Sequence, residues 1–253
     1  TPHQEGQEEG QEARRAPSGI GRQDVDLGRV AVMPGLVNAH THLELSYLRD
    51  EVPPASAFVN WIRGVIEARR QRPDPKAPEI LDAIDRALDE AVDAGTAVVG
   101  DISNTLVTFD PLARSAVAAV VFYELIRFNA SNPSAFVEDA CREIDALAPT
   151  EFVRPTLAAH GPCSVAPLVF RAIRAAIDRH PFLPCSVHLS ESSEEVEFLR
   201  TGGGPWRALL EQVGAWDPGW TAPKVSPVQF LDDARFLDSR VLAVHGVQVS
   251  AAD

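Results

Sequence analysis

The chain has 253 residues, which fits one large domain or two small ones, and 45% of them are hydrophobic, enough for a sizeable core. Its 36 acidic against 23 basic residues leave a net charge of −13, which excludes a basic nucleic-acid-binding surface. Three cysteines make no disulfide framework and point to a reducing, cytoplasmic setting, and no apolar run reads as a membrane span or a secretory signal.

Residues 1–23 are rich in Gln, Glu, Gly and Arg and nearly free of large apolar side chains. They are expected to be a disordered or ill-defined tail, with 24–253 as one domain. The sequence opens on Thr1 and its one methionine is Met33, so a start upstream of Thr1 is expected. Gly19-Ile20-Gly21 hints at a dinucleotide loop, but Asp24 stands where a third glycine belongs and no strand precedes it. Asp26 to Met33 reads as a strand leading into Val32-Met33-Pro34-Gly35-Leu36-Val37-Asn38-Ala39-His40-Thr41-His42-Leu43-Glu44. Pro34-Gly35 is a turn signal, after which apolar Leu36 and Val37 run into two histidines spaced i, i+2. Alternate side chains of a strand share a face, so His40 and His42 point the same way, as a metal clamp requires.

Residues 55–70 then read as a helix with Phe58, Trp61, Ile62 and Val65 on one side, broken by Pro73, Pro75 and Pro78. A second helix over 79–94 closes at Gly95. A β-branched run over 96–102 is the second strand, 111–115 a short helix, and 117–126 the third strand. Helix 134–147 is followed by a strand over 152–159 that ends at His160. Helix 167–179, with its proline in the first turn, is followed by a strand over 184–189 that carries His188. The next helix opens over 192–199, with Glu194 and Glu195 near its positive end. Gly202, Gly203 and Gly204 make a turn, and the stretch to Val225, holding Trp206, Trp216 and Trp220, reads as loop. Helix 226–236 and a strand over 240–244, ending at His245, complete the chain.

Strands alternating with helices predict a parallel sheet, and the length is close to the roughly 250 residues of a (β/α)8 TIM-type barrel. The fold expected is such a barrel, incomplete, with about six strands present. His40, His42, His160, His188 and His245 all fall at strand C-termini, the ends that a barrel gathers on its active face. Zinc-type hydrolytic sites use three or four protein ligands and a water. His40, His42 and His188 can supply three imidazoles, and Glu191 follows closely enough to move that water's proton. His245 can orient the water or ligate, and His160 can meet the substrate. Glu44, Trp61 and Arg127 are further substrate-binding candidates, each with a bland reading: solvated loop, core packing and solvated cation.

His40-Thr41-His42 after its Pro-Gly turn, His188-Leu189-Ser190-Glu191 and His245-Gly246 together resemble the deaminase-like branch of the amidohydrolase superfamily. Within it the chain is similar to the aminofutalosine, S-adenosylhomocysteine and cytosine deaminase group. His160-Gly161-Pro162-Cys163-Ser164 looks like that branch's strand-four segment, with Cys163 in place of the usual Tyr. The resemblance implies that His40, His42 and His188 are metal ligands, Glu191 the catalytic carboxylate and His245 the holder of the attacking water. It implies one divalent ion, zinc first and iron as the alternative, because neither Lys76 nor Lys224 lies at a strand end to bridge a second. The reaction implied is hydrolytic deamination of an aminated heterocycle or purine nucleoside. The alternatives are hydrolysis of a cyclic amide or a chlorotriazine-type C–Cl bond and, in another class, a non-catalytic binding protein on a degenerate barrel. The family's strands seven and eight, with their Asp ligand, have no counterpart here, so a fragment that binds metal weakly on its own is expected. The partner expected is a small molecule, not nucleic acid or membrane, with room for a homo-oligomer. A rival zinc site of the small nucleoside-deaminase type finds His42-Leu43-Glu44 and Pro184-Cys185, but lacks the second cysteine.

Overall fold

Runs of Val, Ile and Ala become strands, each followed by helical chain, in the computed structural model, which describes residues 25–148 and 150–253. The expected tail over 1–23, with Gly19-Ile20-Gly21, lies outside the described residues. Six strands form, namely β1 (Leu36–Thr41), β2 (Thr96–Ser103), β3 (Ala118–Leu125), β4 (Val153–Ala159), β5 (Cys185–Leu189) and β6 (Val241–His245). All neighbouring pairs are parallel and the spatial order is the chain order. Six strands laid flat would put the first and last about 24 Å apart. Instead the His40 and His245 rings, from β1 and β6, have centroids 5.4 Å apart. The sheet therefore curls round on itself as an incomplete (β/α)8 barrel does, and the strand ends converge.

Gly35–Asp253 forms one compact unit. Residues 25–34, which precede it, contain no strand, so the strand expected over 26–33 does not form. They have no strand partner among the described residues, and Pro34 offers no N–H to a ladder.

The helices follow the sequence signals closely. They are α1 (Phe58–Arg70), α2 (Pro78–Asp93), α3 (Phe109–Arg114), α4 (Pro133–Asp145), α5 (Pro167–Ile177), α6 (Ser193–Thr201), α7 (Gly204–Gln212) and α8 (Pro227–Asp233). Proline in the first turn starts α2, α4, α5, α7 and α8, where its missing N–H costs nothing. Asn132, Ser192 and Ser226 cap α4, α6 and α8 by accepting first-turn N–H groups. Two elements depart from expectation. Helix α7 lies where loop was expected, burying Trp206, Leu209 and Leu210 on one face. A 3-10 segment, Leu43–Leu48, turns the chain directly after the first histidine pair. No helix among the described residues is long and apolar enough to cross a membrane.

The barrel interior holds Ile102, Phe122 and Ala158 from β2, β3 and β4. The outer core fills the space between strands and helices, with Phe170, Phe198, Phe230 and Trp206 among its large members. Because side chains alternate along a strand, the residues two places beyond the interior layer also point inward. These are Asn104, Glu124 and His160, which stand on the floor that Ile102, Phe122 and Ala158 make.

Candidate active site

The cavity above that floor has a volume of about 590 Å³. His40, His42, His160, His188, Glu191 and His245 line it, and α1 walls one side with Phe58, Trp61, Ile62 and Val65. Glu124, Asn104 and Arg69 also line it, and none of the three was singled out by sequence reasoning. The signal for Glu124 was available: one carboxylate in the apolar strand Val-Val-Phe-Tyr-Glu-Leu, in phase with an inward phenylalanine.

His40, His42 and His188 offer ring nitrogens that all lie within 4.8 Å of one another. The ring centroids of His40 are 4.9 Å from those of both His42 and His188. His188 Nε2 faces His42 Nε2 at 3.3 Å, and His40 Nδ1 is buried with no protein partner. Burial holds His40 down at about 4, helped by His188 and His245, and holds His42 down at about 3 although Glu124 acts against it. Neutral imidazoles with an unpartnered nitrogen are the donor set that a divalent ion such as zinc takes, so these residues fit a metal. His188 behaves differently. Burial disfavours its cation, but the hydrogen bond and charge of Glu124 outweigh this and raise its pKa.

At the same mouth His245 Nε2 lies 3.4 Å from Glu191 Oε1. His245 ends β6 with a φ of 77°, and Ser190, just before Glu191, has a φ of 52°. Both are left-handed conformations that non-glycine residues adopt at a cost, here where the chain leaves a strand end and turns a side chain towards the cavity. Glu191 is pushed up by burial, with His188 pulling the other way, while burial and His188 lower His245. Glu195, in the first turn of α6, accepts the backbone N–H groups of Ser190 and Glu191 at 3.2 and 2.9 Å and so fixes the Glu191 segment. His160 Nδ1 is 2.6 Å from Ser164 Oγ, whose own proton goes to the Gly161 carbonyl oxygen. Burial keeps the ring neutral, with a pKa lowered to about 4.

Other expected residues stand elsewhere. Glu44 is neither a solvated loop residue nor a free pocket carboxylate, being only 4% exposed. Its Oε2 accepts from Ser103 Oγ, Thr105 Oγ1 and the N–H groups of Asn104 and Thr105, and its Oε1 pairs with Arg69 at 3.0 Å. It pins the loop after β2 to the turn after β1. Arg127 is exposed, outside the cavity lining, with its guanidinium over the Phe136 ring at 4.7 Å. Cys163 is packed into the hydrophobic core. Cys185 is fully buried on β5, its thiol pushed up to about 12, and Glu44 is locked, so the rival small-deaminase site is not assembled. Neither Lys76 nor Lys224 lines the cavity.

A sequence model of the amidohydrolase family matches residues 31–253. The aminodeoxyfutalosine deaminase of Deinococcus radiodurans is 30% identical over 244 residues, covering 88% of this chain and 53% of that protein. The crystal structure of Helicobacter pylori aminofutalosine deaminase with methylthio-coformycin superposes with a TM-score of 0.68 at 25% identity, over 84% of this chain and 50% of that one. An adenosine deaminase from Xanthomonas campestris with bound zinc shares the fold, with a TM-score of 0.66 at 23% identity, over 87% of this chain and 46% of that one. The chain thus spans about half the length of the relatives it matches.

Proposed function

Because the chain belongs to the amidohydrolase family, we propose that this cavity serves hydrolytic deamination of an aminated heterocycle, with an adenosine-type purine nucleoside as the preferred class. The observation that carries the reading is the meeting of His40, His42 and His188 beside Glu191 and His245. Similarity to two deaminases of aminated futalosine compounds supports the substrate class.

His40, His42 and His188 would hold one divalent ion, zinc before iron, and the absence of a lysine from the cavity lining supports a single ion. Bound there, the ion supplies Lewis acidity that brings the pKa of a water to about 7. Glu191 takes a proton from that water and passes it to the leaving amino nitrogen. Its raised pKa brings it closer to the range such a shuttle needs. His245, neutral and 3.4 Å from Glu191, orients the same water. The ring carbon would gain the water's oxygen, whose second proton moves to the neighbouring ring nitrogen as the carbonyl forms; the amino group leaves with the first proton as ammonia, and Glu191 returns to its starting state. His160 meets the substrate, while Phe58, Trp61 and Ile62 cover the ring and exclude bulk water.

The test is ammonia release by the protein that carries this chain, supplied with zinc, across a panel of aminopurine nucleosides, aminopterins and aminopyrimidines. Ammonia from the purine nucleosides above all is the expected result. Chloride from a chlorotriazine, or ring opening of a cyclic amide, with no ammonia from any amine, would overturn the assignment.

A further inference from the structure

Glu124 is 5% exposed, lies at the cavity end of β3, and has no part in the proton transfers above. Its Oε1 stands 3.1 Å from His188 Nδ1. Its other oxygen, Oε2, accepts from Asn104 Nδ2 at 2.8 Å. Asn104 Oδ1 in turn accepts from Arg69 Nη1 at 2.8 Å, and Arg69 Nη2 reaches Glu44 Oε1 at 3.0 Å. Donor and acceptor alternate along this line from the wall helix α1 to Glu124, whose Oε1 ends it beside His188 Nδ1.

We propose that Glu124 is the positioning residue of His188. Its carboxylate stands behind the Nδ1–H that the His160 carbonyl accepts, fixes the ring by its charge, and leaves Nε2, the nitrogen that faces His42, for the metal. Asn104 and Arg69 hold the carboxylate in turn, so hydrogen bonds tie the cavity wall to the charge that stands beside the metal ligand. The inference rests on the reading of His188 as a ligand. The carbonyl oxygen of His160 also faces His188 Nδ1, at 3.0 Å. That carbonyl is enough to select the tautomer, but it carries no charge. A carboxylate behind the ring adds to the basicity of Nε2, and such partners set metal affinity by about 10- to 100-fold. Glu124 also groups with His160 and His188 closely enough to suggest a second ion. That ion would need His188 Nδ1, which already donates to the His160 carbonyl, so Glu124 acts behind the ligand and not as one.

The experiment measures zinc dissociation constants of the protein that carries this chain by competition with a chromophoric chelator, and the visible spectrum of its cobalt(II) form. The variants are E124Q, E124A, N104A and H188A, with melting of each metal-free variant as the check on folding. E124Q and E124A should bind zinc about 10- to 100-fold more weakly than the parent, with a shifted cobalt spectrum and one cobalt per chain in the parent. N104A, which keeps the carboxylate but frees it, should fall between parent and E124Q, and it carries the test if the Glu124 variants fail to fold. Zinc affinity within about twofold of the parent in E124Q, with an unchanged cobalt spectrum, would overturn the proposal, since the His160 carbonyl would then suffice. Two cobalt ions per parent chain would overturn it as well. If H188A binds zinc as tightly as the parent, the ligand reading itself fails. If H188A loses zinc while E124Q and N104A keep it, only the role of Glu124 fails.

Discussion

Asp101 is a carboxyl that its surroundings only half satisfy. It is fully buried in β2, opposite Thr41 of β1, and its Oδ1 accepts the Leu43 N–H at 2.8 Å while Oδ2 has no partner. Burial raises its pKa to about 7, and the Leu43 N–H offsets only part of that. Since the folded value exceeds the ordinary 3.8, its stabilising contribution is complete below that pH and is lost as the pH rises through about 7. Asp101→Asn should therefore gain on the order of 2 kcal/mol relative to the parent between pH 5 and pH 8. Urea unfolding at the two pH values measures this, and an identical difference at both would contradict it. At this scale the histidines were legible, because imidazoles at strand ends have few structural reasons to recur. Asp101, Glu124 and Asn104 were not, since their significance comes from partners brought in from other strands. Glu44 looked equally free in sequence whether it faced solvent, the cavity or, as it does, the loop after β2.

Helix α6 shows how one element can aim a side chain, here Glu191, the carboxylate proposed as the proton shuttle. Ser192 caps it by accepting the Glu195 N–H at 3.2 Å, and Glu195 reaches back to the N–H groups of Ser190 and Glu191. This is a capping box whose return arm spans further than usual. The residue before Glu195, Glu194, accepts the Phe58 N–H at 3.1 Å and so closes the N-terminus of α1, which has no side-chain cap of its own. Truncating Glu195 to alanine strands two backbone donors in a buried turn, at about 1–3 kcal/mol each. The variant should unfold at lower urea and show a lower kcat at unchanged metal content. A parent-like midpoint would show that water replaces the carboxylate. Most elements were legible because proline, serine and glycine mark their ends. Helix α7 was not: three glycines before it read as a turn. Its apolar spacing at Trp206, Leu209 and Leu210 covers little more than two turns, too few to outweigh them.

Across the whole molecule, the site exists because the sheet curls far enough to bring β1 and β6 together. Strand–helix alternation made the parallel order legible, whereas the 5.4 Å approach of His40 to His245 depends on the twist accumulated over six strands, which no local window holds. Gly100 is one place where this curl can be disturbed. A Cβ there would lie 2.3 Å from the Ala39 carbonyl oxygen and 3.1 Å from the Phe122 ring. Gly100→Ala should push β1 away from β2, cost about 1–3 kcal/mol, and weaken zinc binding through His40 and His42 together. Parent-like stability and affinity would mean that the strands adjust without cost. The convergence of three imidazoles on one ion is tested most directly by anomalous diffraction on either side of the zinc edge, from crystals grown with zinc. One peak bonded to ring nitrogens of His40, His42 and His188 is the result predicted. Zinc bound elsewhere, or no peak among these three rings, would contradict it.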